Sequence, residues 1–320
     1  MRILVADKFS ADAMDQLRAA GHEVAYEPDV TAHALASTIS GFAAVVVRST
    51  RVSEETIEAA DSIDLIVRAG AGTNTIDVAA ATVNSVTVCN TPGKNAVAVA
   101  ELAMGLLLSI DRNIPDNVAD LRRGTWKKKM YSQARGLMGR KIGIVGFGDI
   151  GTEMARRAAA FGLSVYTVGR PGRSERALET MAQLDVTMVA NLEELFQAVD
   201  IISLHVPSLP ATTGMLSEEL LAYVQPGSVI INTSRGEVID EAALLEVIDA
   251  KNLRVGTDVY LDEPAAGDNE FRSAFGQHPR VYGTHHIGAS TEQSQAAVAD
   301  EVVAVVEAFA SGEVRNQVLA

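Results

Sequence analysis

Three short segments carry side chains able to do chemistry, and each follows a stretch that reads as a β-strand. Asn232-Thr233-Ser234-Arg235-Gly236 offers a guanidinium beside a glycine. A guanidinium can grip a carboxylate through two parallel hydrogen bonds. Thr257 to Pro264 offers the carboxylates Asp258, Asp262 and Glu263. Thr284 to Ser290 offers His285 and His286 ahead of a glycine turn and a helix start. Taken singly, these read as an exposed arginine, an acidic surface loop and a pair of loop histidines. Taken together, they supply an anion clamp, a carboxylate able to raise a neighbour's pKa, and a proton donor. Reduction of a 2-keto acid by a nicotinamide needs that set. No second histidine pair stands at ligand spacing, so no metal is expected.

The element that must position this chemistry is the stretch 139–151, Gly-Arg-Lys-Ile-Gly-Ile-Val-Gly-Phe-Gly-Asp-Ile-Gly. Lys141 to Val145 reads as a short buried strand. Gly146, Gly148 and Gly151 then give the spacing G-x-G-x-x-G, followed by a helical pattern that Gly162 ends and a second strand from Leu163 to Val168. In that context the first glycine permits the tight turn and the second lets backbone approach a pyrophosphate. The third lets helix pack on strand. The helix start offers free N–H groups to the phosphates. The acidic residue that grips a ribose 2′-hydroxyl is missing after the second strand, where Arg170 and Arg173 stand instead. Two cations there suit the extra phosphate of NADP, so NADP is favoured over NAD.

A chain of 320 residues with 48% hydrophobic and 21% charged residues is globular and large enough for one or two domains. A net charge of −14 argues against non-specific nucleic-acid binding but does not exclude an anionic substrate, since a local arginine cluster overrides the global sign. One cysteine, Cys89, leaves no intrachain disulfide and no cysteine metal site. Met1 to Asp7 reads as an opening strand, not a signal peptide, and the apolar stretch Ala96–Ile110, broken by Glu101, is too short to span a bilayer. The cell interior, the cytoplasm, is the expected location, with no membrane partner.

Residues 1–90 alternate strands (Ile3–Ala6, Glu23–Tyr26, Ala44–Val47, Leu65–Val67, Val86–Val88) with helical patterns, as a doubly wound parallel α/β unit does. A turn-rich junction, Asn90-Thr91-Pro92-Gly93, precedes the apolar helix. A second α/β unit starts near Gly139 and includes strands at Asp200–Leu204, Ser228–Asn232, Arg254–Asp258 and Arg280–Gly283. The last helix, Glu292–Ala310, can pack back on the first unit. The expected fold is therefore α/β with two doubly wound parallel-sheet domains. One is a Rossmann cofactor domain over 96–290; the other is a flavodoxin-like substrate domain over 1–95 plus 291–320.

Many ordered motifs together resemble the D-2-hydroxyacid dehydrogenase family, most closely its 3-phosphoglycerate dehydrogenase branch. They are Arg68 to Asp77, Asn90-Thr91-Pro92, Asn95, Ala100-Glu101-Leu102, Trp126, Gly146 to Gly151, Leu204 to Pro207, Thr212-Thr213-Gly214, Arg235-Gly236, Asp258-Val259, Glu263-Pro264 and His286 to Ser290. The resemblance implies that Arg235 binds the substrate carboxylate and polarises the carbonyl. It makes His286 the general acid or base and Glu263 its partner. It places the cofactor at Gly146, Gly148, Asp149, Ile150 and Gly151, with His205, Pro207, Thr213, Thr233 and Gly288 nearby and Asp258 orienting the nicotinamide amide. Backbone N–H groups at Ala71 and Gly72 would hold the substrate carboxylate, with Asn95 beside them. Arg48, Arg51 and Lys128 would meet a distal phosphate. A homodimer built through the cofactor domains and the Ala96–Ile110 helix is implied as well.

Two positions depart from the family pattern. His285 replaces a usual proline, and Gly169-Arg170 replaces the usual aspartate. The chain ends soon after the last helix, so a C-terminal regulatory domain is not expected. The main alternative substrate reading is an NADPH-dependent hydroxypyruvate or glyoxylate reductase. The alternative of another class is a non-enzymatic nucleotide sensor resembling corepressors of this fold.

Overall fold

The structure, a computed structural model, describes residues 1–264 and 270–319. It divides into two compact units, Met1–Asn95 with Ser290–Ala320, and Ala96–Ala289.

The first unit is built on five parallel strands, β1 (Arg2–Val5), β2 (Glu23–Tyr26), β3 (Ala44–Val47), β4 (Leu65–Arg68) and β5 (Thr87–Cys89). Their order, β2-β1-β3-β4-β5, is the flavodoxin-like one. The central strands are continuous apolar runs because helices cover both faces: all four residues of β3 are buried. The helix Glu292–Ala310 belongs to this unit, packing on β4 and on the helix Ala11–Ala19. Its apolar face includes Val302, Val305 and Val306, all fully buried.

The second unit is built on seven parallel strands: β6 (Lys141–Val145), β7 (Ser164–Val168), β8 (Thr187–Val189), β9 (Ile201–Leu204), β10 (Val229–Asn232), β11 (Arg254–Thr257) and β12 (Val281–Gly283). Their order is β12-β11-β10-β9-β6-β7-β8, the Rossmann arrangement with one strand added at the β12 edge. Ile201, Ile202, Ile230 and Ile231 are wholly buried at its centre. Each such side chain contributes roughly 1.5–3 kcal/mol of burial. The helix Ala96–Arg112 lies on β10 and β11 and against the helix Asp149–Ala160. Gly256 in β11 is what lets it approach: a Cβ there would stand 3.0 Å from Leu106 Cβ and 3.1 Å from Ile110 Cδ1.

The elements absent from the sequence reading are mostly short. They are the helices Ile114–Arg122, Lys128–Tyr131, Glu175–Gln183, Leu192–Ala198, Glu218–Leu221 and Glu241–Ile248, and strand β8. β8 is an edge strand of three residues, two of them exposed, which leaves it a weak mark in the sequence. Ser174, Asn191, Ser217 and Asp240 do cap their helices through side-chain oxygens, a local signal the hydrophobic pattern alone does not carry.

Candidate active site

The glycine loop after β6 is shaped by close approach. Gly146 has φ +91°, and a Cβ there would overlap the backbone carbonyl of His205. A Cβ on Gly151 would overlap the Gly146 carbonyl, whereas Gly148 faces open space. Unlike the helices capped by Ser174, Asn191, Ser217 and Asp240, Asp149–Ala160 starts at Gly148 with no side-chain cap. Its first N–H groups are thus left for an anion. β6 and β9 meet where the strand order reverses, so this loop and His205 share the crevice in which such sheets bind ligands.

Several polar atoms at this end of the sheet lack partners. His205 Nε2 lies 2.8 Å from Ser203 Oγ, but Nδ1 is shielded and unpaired. Burial pushes that imidazole down to about 4, so it is neutral. Thr233 is buried with its Oγ1 unpaired. Thr213 Oγ1 donates to Leu209 O (2.9 Å) and Thr212 Oγ1 to Pro207 O (2.5 Å), which pins the loop after β9. After β7, Arg173 turns back on the strand: it donates to Val168 O, and its guanidinium stands 5.6 Å over the Phe147 ring. Burial, then the charge of Arg170, lowers its pKa. Arg170 is exposed and has no side-chain partner among the described residues. An uncapped helix start, a glycine cradle and unsatisfied polar atoms at the switch point fit a nicotinamide dinucleotide.

The three chemical segments converge at the ends of β10, β11 and β12. Buried Asn232 ties the first turn. Its Oδ1 accepts from Ser234 N (3.0 Å) and Ser234 Oγ (2.7 Å), and its Nδ2 donates to Arg235 O (2.9 Å). Arg235 Nη1 donates to Ser234 O at 2.7 Å, leaving the other guanidinium N–H groups without a partner among the described residues. Gly236 is required because a Cβ would overlap the Tyr260 backbone. His286 Nδ1 lies 2.7 Å from Glu263 Oε2, and Glu263 Oε1 accepts from Tyr260 N at 3.1 Å.

The electrostatics follow from that pair. The hydrogen bond from Glu263 is the largest influence on His286 and raises its pKa; burial and the Arg235 charge oppose it, while the Glu263 and Asp258 charges add to it. For Glu263, burial alone would raise the pKa. The hydrogen bond and charge of His286, with Tyr260 N–H and Arg235, outweigh it and hold the carboxyl below its usual value. Arg235 thus acts electrostatically on both partners. His285 is exposed and makes no contact of this kind among the described residues.

Asp258 holds the histidine in place. Its Oδ1 accepts from Thr284 Oγ1 (2.6 Å) and Ile287 N (2.9 Å), its Oδ2 from Gly288 N (2.7 Å), and its carbonyl from His286 N (2.8 Å). His286 has φ +51°, a left-handed conformation uncommon outside glycine, and this carboxylate surrounds it with fixed backbone. Three of the four acceptor positions of Asp258 are therefore taken within the chain. Tyr260 supports the same region, donating to Thr284 O at 3.1 Å and packing on the face that Gly283 leaves open. The sequence reading passed over Tyr260; the glycines at 236, 276 and 283, which clear space for it, were the signal.

The remaining candidates divide between the units. In the first unit, the N–H groups of Ala71 and Gly72 have no acceptor among the described residues; the loop is held by Asn90 Nδ2 on Ala71 O (2.6 Å) and Thr91 N on Gly70 O (3.1 Å). Arg48 and Arg51 have no side-chain partner among the described residues, and Asn95 is half-buried at the end of the unit. In the second unit, Lys128 is exposed at the start of a short helix, next but one to Trp126, which is 78% exposed.

Residues 104–288 match the model of the D-isomer specific 2-hydroxyacid dehydrogenase NAD-binding domain. The chain belongs to the D-2-hydroxyacid dehydrogenase family. This family member is 36% identical to D-3-phosphoglycerate dehydrogenase of Methanocaldococcus jannaschii, over 100% of the chain and 59% of that protein. It is 41% identical to hydroxypyruvate reductase of Thermotoga maritima over 81% of the chain and 82% of that protein. The structure of an NADPH-dependent glyoxylate/hydroxypyruvate reductase from Sinorhizobium meliloti superposes with a TM-score of 0.84 at 28% identity, covering 99% of this chain and 97% of that one. The chain spans between about half and six-tenths of the length of the phosphoglycerate dehydrogenases it matches (49% to 59%). Among the described residues no helix is long and apolar enough to cross a membrane, and no group of three His, Cys, Asp or Glu is placed to hold a metal ion.

Proposed function

We propose that the protein interconverts a small 2-keto acid and its D-2-hydroxy acid with a nicotinamide dinucleotide. The observation that carries this reading is the Arg235, Glu263 and His286 constellation, with Glu263 and His286 in contact and Arg235 acting on both. When bound, the cofactor supplies or accepts a hydride at C2 of the acid. Gly146, Gly148, Asp149, Ile150 and Gly151 would hold its pyrophosphate, and His205, Pro207, Thr213, Thr233 and Gly288 would line the rest. Arg235 binds the substrate carboxylate through its free N–H groups and polarises the carbonyl. His286 keeps Nδ1–H on Glu263 and gives the proton at Nε2 to the carbonyl oxygen, ending neutral; oxidation runs the same transfer backwards. The hydrogen bond and charge of Glu263, with the charge of Asp258, favour the imidazolium against burial until the oxygen takes the proton.

NADP(H) is the favoured cofactor, on the grounds that Arg170 is exposed and unpaired and no carboxylate ends β7. The proposed substrate carries a second anionic group, as in 3-phosphoglycerate, met by Arg48, Arg51 and Lys128, with Ala71, Gly72 and Asn95 at the carboxylate. A second reading, a hydroxypyruvate or glyoxylate reductase, is favoured by Arg170 and by the Thermotoga maritima relative. We place the protein in the cytoplasm as a homodimer. The exposed apolar side chains Ile114, Leu121, Trp126 and Met130, close in sequence to the helix Ala96–Arg112, suit a subunit interface.

The test is a panel of initial rates, NADPH and NADH each against phosphohydroxypyruvate, hydroxypyruvate and glyoxylate. Preferred turnover of the phosphorylated acid supports the phosphoglycerate reading. Preference for the small acids with NADPH supports the reductase. Oxidation of neither cofactor with any acid removes the catalytic reading and brings forward the nucleotide sensor.

A further inference from the structure

The first unit has its own topological switch point, between β1 and β3, where β2 leaves in one direction and β3 in the other. Sheets of this order bind anionic ligands at the carboxyl ends of those two strands. Here that place is filled from within. Ala6 N donates to Val46 O at 3.0 Å, carrying β1 one residue further along β3. Asp7 then turns its carboxylate into the loop after β3. Oδ2 accepts from three consecutive backbone N–H groups, Arg48 (2.6 Å), Ser49 (3.0 Å) and Thr50 (3.0 Å). Oδ1 accepts from Ser49 Oγ at 3.2 Å, and Thr50 Oγ1 donates to Ala6 O at 3.2 Å. Successive N–H groups turned to one point form an anion-binding nest. The far end of the loop is fixed too: Val52 N donates to Thr75 O (2.9 Å), and Asp77 N to Val52 O (3.0 Å). Neither Arg48 nor Arg51 forms an ion pair with Asp7 or with any other described carboxylate.

We propose that Asp7 is the positioning residue for recognition of the distal anion. By filling the nest, it removes the backbone from that task and fixes the loop so that the guanidinium groups of Arg48 and Arg51 remain open to a phosphate. This rests on the reading that those two arginines meet the distal group. A carboxylate bound to three N–H groups holds the loop more firmly than water, because charge-assisted hydrogen bonds are about twice as strong as neutral ones. The consequence is selectivity between acids. A substrate bearing a phosphate depends on the loop; one that ends at a hydroxyl or at hydrogen does not.

The experiment compares phosphohydroxypyruvate with glyoxylate in the full-length protein carrying Asp7→Ala, Asp7→Asn or the pair Arg48→Ala and Arg51→Ala. Asp7→Ala should raise KM for the phosphorylated acid by about tenfold or more with kcat unchanged, while kcat/KM for glyoxylate stays within about twofold, the size of one displaced charge-assisted contact. Asp7→Asn keeps one acceptor oxygen for the nest and should restore most of the affinity. If Asp7→Ala is too unstable to assay, Ser49→Ala with Thr50→Val cuts the side-chain ties alone and should give a smaller rise of the same kind. Equal loss on both acids, or an unchanged KM for the phosphorylated one, overturns the proposal. If the double arginine variant leaves that KM unchanged, or the wild type does not turn over the phosphorylated acid, the distal-anion reading itself has failed, and this proposal with it.

Discussion

At the scale of single residues, the account turns on which proton sits on which atom. The Glu263 hydrogen bond raises the His286 pKa, so imidazolium persists above the ordinary value of 6.5. The reduction rate should therefore stay high at neutral pH and fall as pH rises through the raised pKa. Glu263→Gln removes the largest cause of the shift and leaves burial and Arg235 to lower it. The fall should then come at lower pH, and the acid limb of the oxidation profile should move in the same direction; initial rates against pH in both directions check this. The linked stability has the same sign: a folded pKa above the unfolded one stabilises at low pH, and that contribution is lost as pH rises through the folded value. Cofactor choice is also a residue-scale matter. Arg173 donates to Val168 O and stacks on Phe147, so Arg170 is the group left for a ribose phosphate. Arg170→Glu should weaken NADPH by about 1–3 kcal/mol, the cost of one charge-assisted contact, and should weaken NADH far less. Equilibrium titration of both cofactors reads the difference.

Elements place these groups through buried carboxylates as much as through strands. Asp258→Asn puts an amide where either Gly288 N–H or the Ile287 and Thr284 donors now find an acceptor, which should cost about 1–3 kcal/mol. The expected outcome is a lower Tm together with a reduced kcat and an altered pH profile, while the Kd for the cofactor changes little. Thermal unfolding measured beside cofactor titration checks it. A Kd that weakens in step with kcat would instead support the role the resemblance implies for Asp258, orienting the nicotinamide amide. In the first unit, Glu301 on the last helix binds Lys94 (2.8 Å), Arg315 (2.5 Å) and Asn316 (2.9 Å). Burial would raise this carboxyl, but those three partners hold it at about 2, below its ordinary 4.5. Its stabilisation is thus fully present above pH 4.5 and lost as pH falls toward 2. Wild type should exceed Glu301→Gln by on the order of 2–3 kcal/mol at neutral pH. The gap should close across that acid window in denaturant titrations.

Across the whole molecule, a net charge of −14 coexists with arginines at the places proposed for anions, Arg48, Arg51, Arg170 and Arg235, that form no ion pair among the described residues. Local geometry, not global sign, decides what the protein attracts. How much of this was legible in the sequence follows from the range of each interaction. The glycine loop was legible because its spacing is a local steric requirement: Gly146 and Gly151 each meet backbone within a few residues or at the neighbouring strand. The positions of most strands followed from short apolar runs between helical patterns, and the edge strand β8 escaped because it is three residues long and lies mostly exposed. The loops carrying Arg235 and His286 stood out by residue type. The contact between Glu263 and His286, 23 positions apart, came from family resemblance and not from spacing. The work of Asp258 and Asp7 was out of reach, because each is a lone carboxylate meeting backbone N–H groups about 30 to 40 positions away. No pattern of side chains announces where another segment's backbone will turn its donors.

The most direct test of the central claim is turnover by His286→Gln, measured beside its affinity for NADPH with the best acid of the panel. The expected result is unchanged NADPH affinity with NADPH oxidation reduced by about 10²–10⁴-fold, the usual share of a positioned general acid. Turnover that survives within about tenfold, in a variant that still binds NADPH, would contradict the assignment of proton transfer to this histidine.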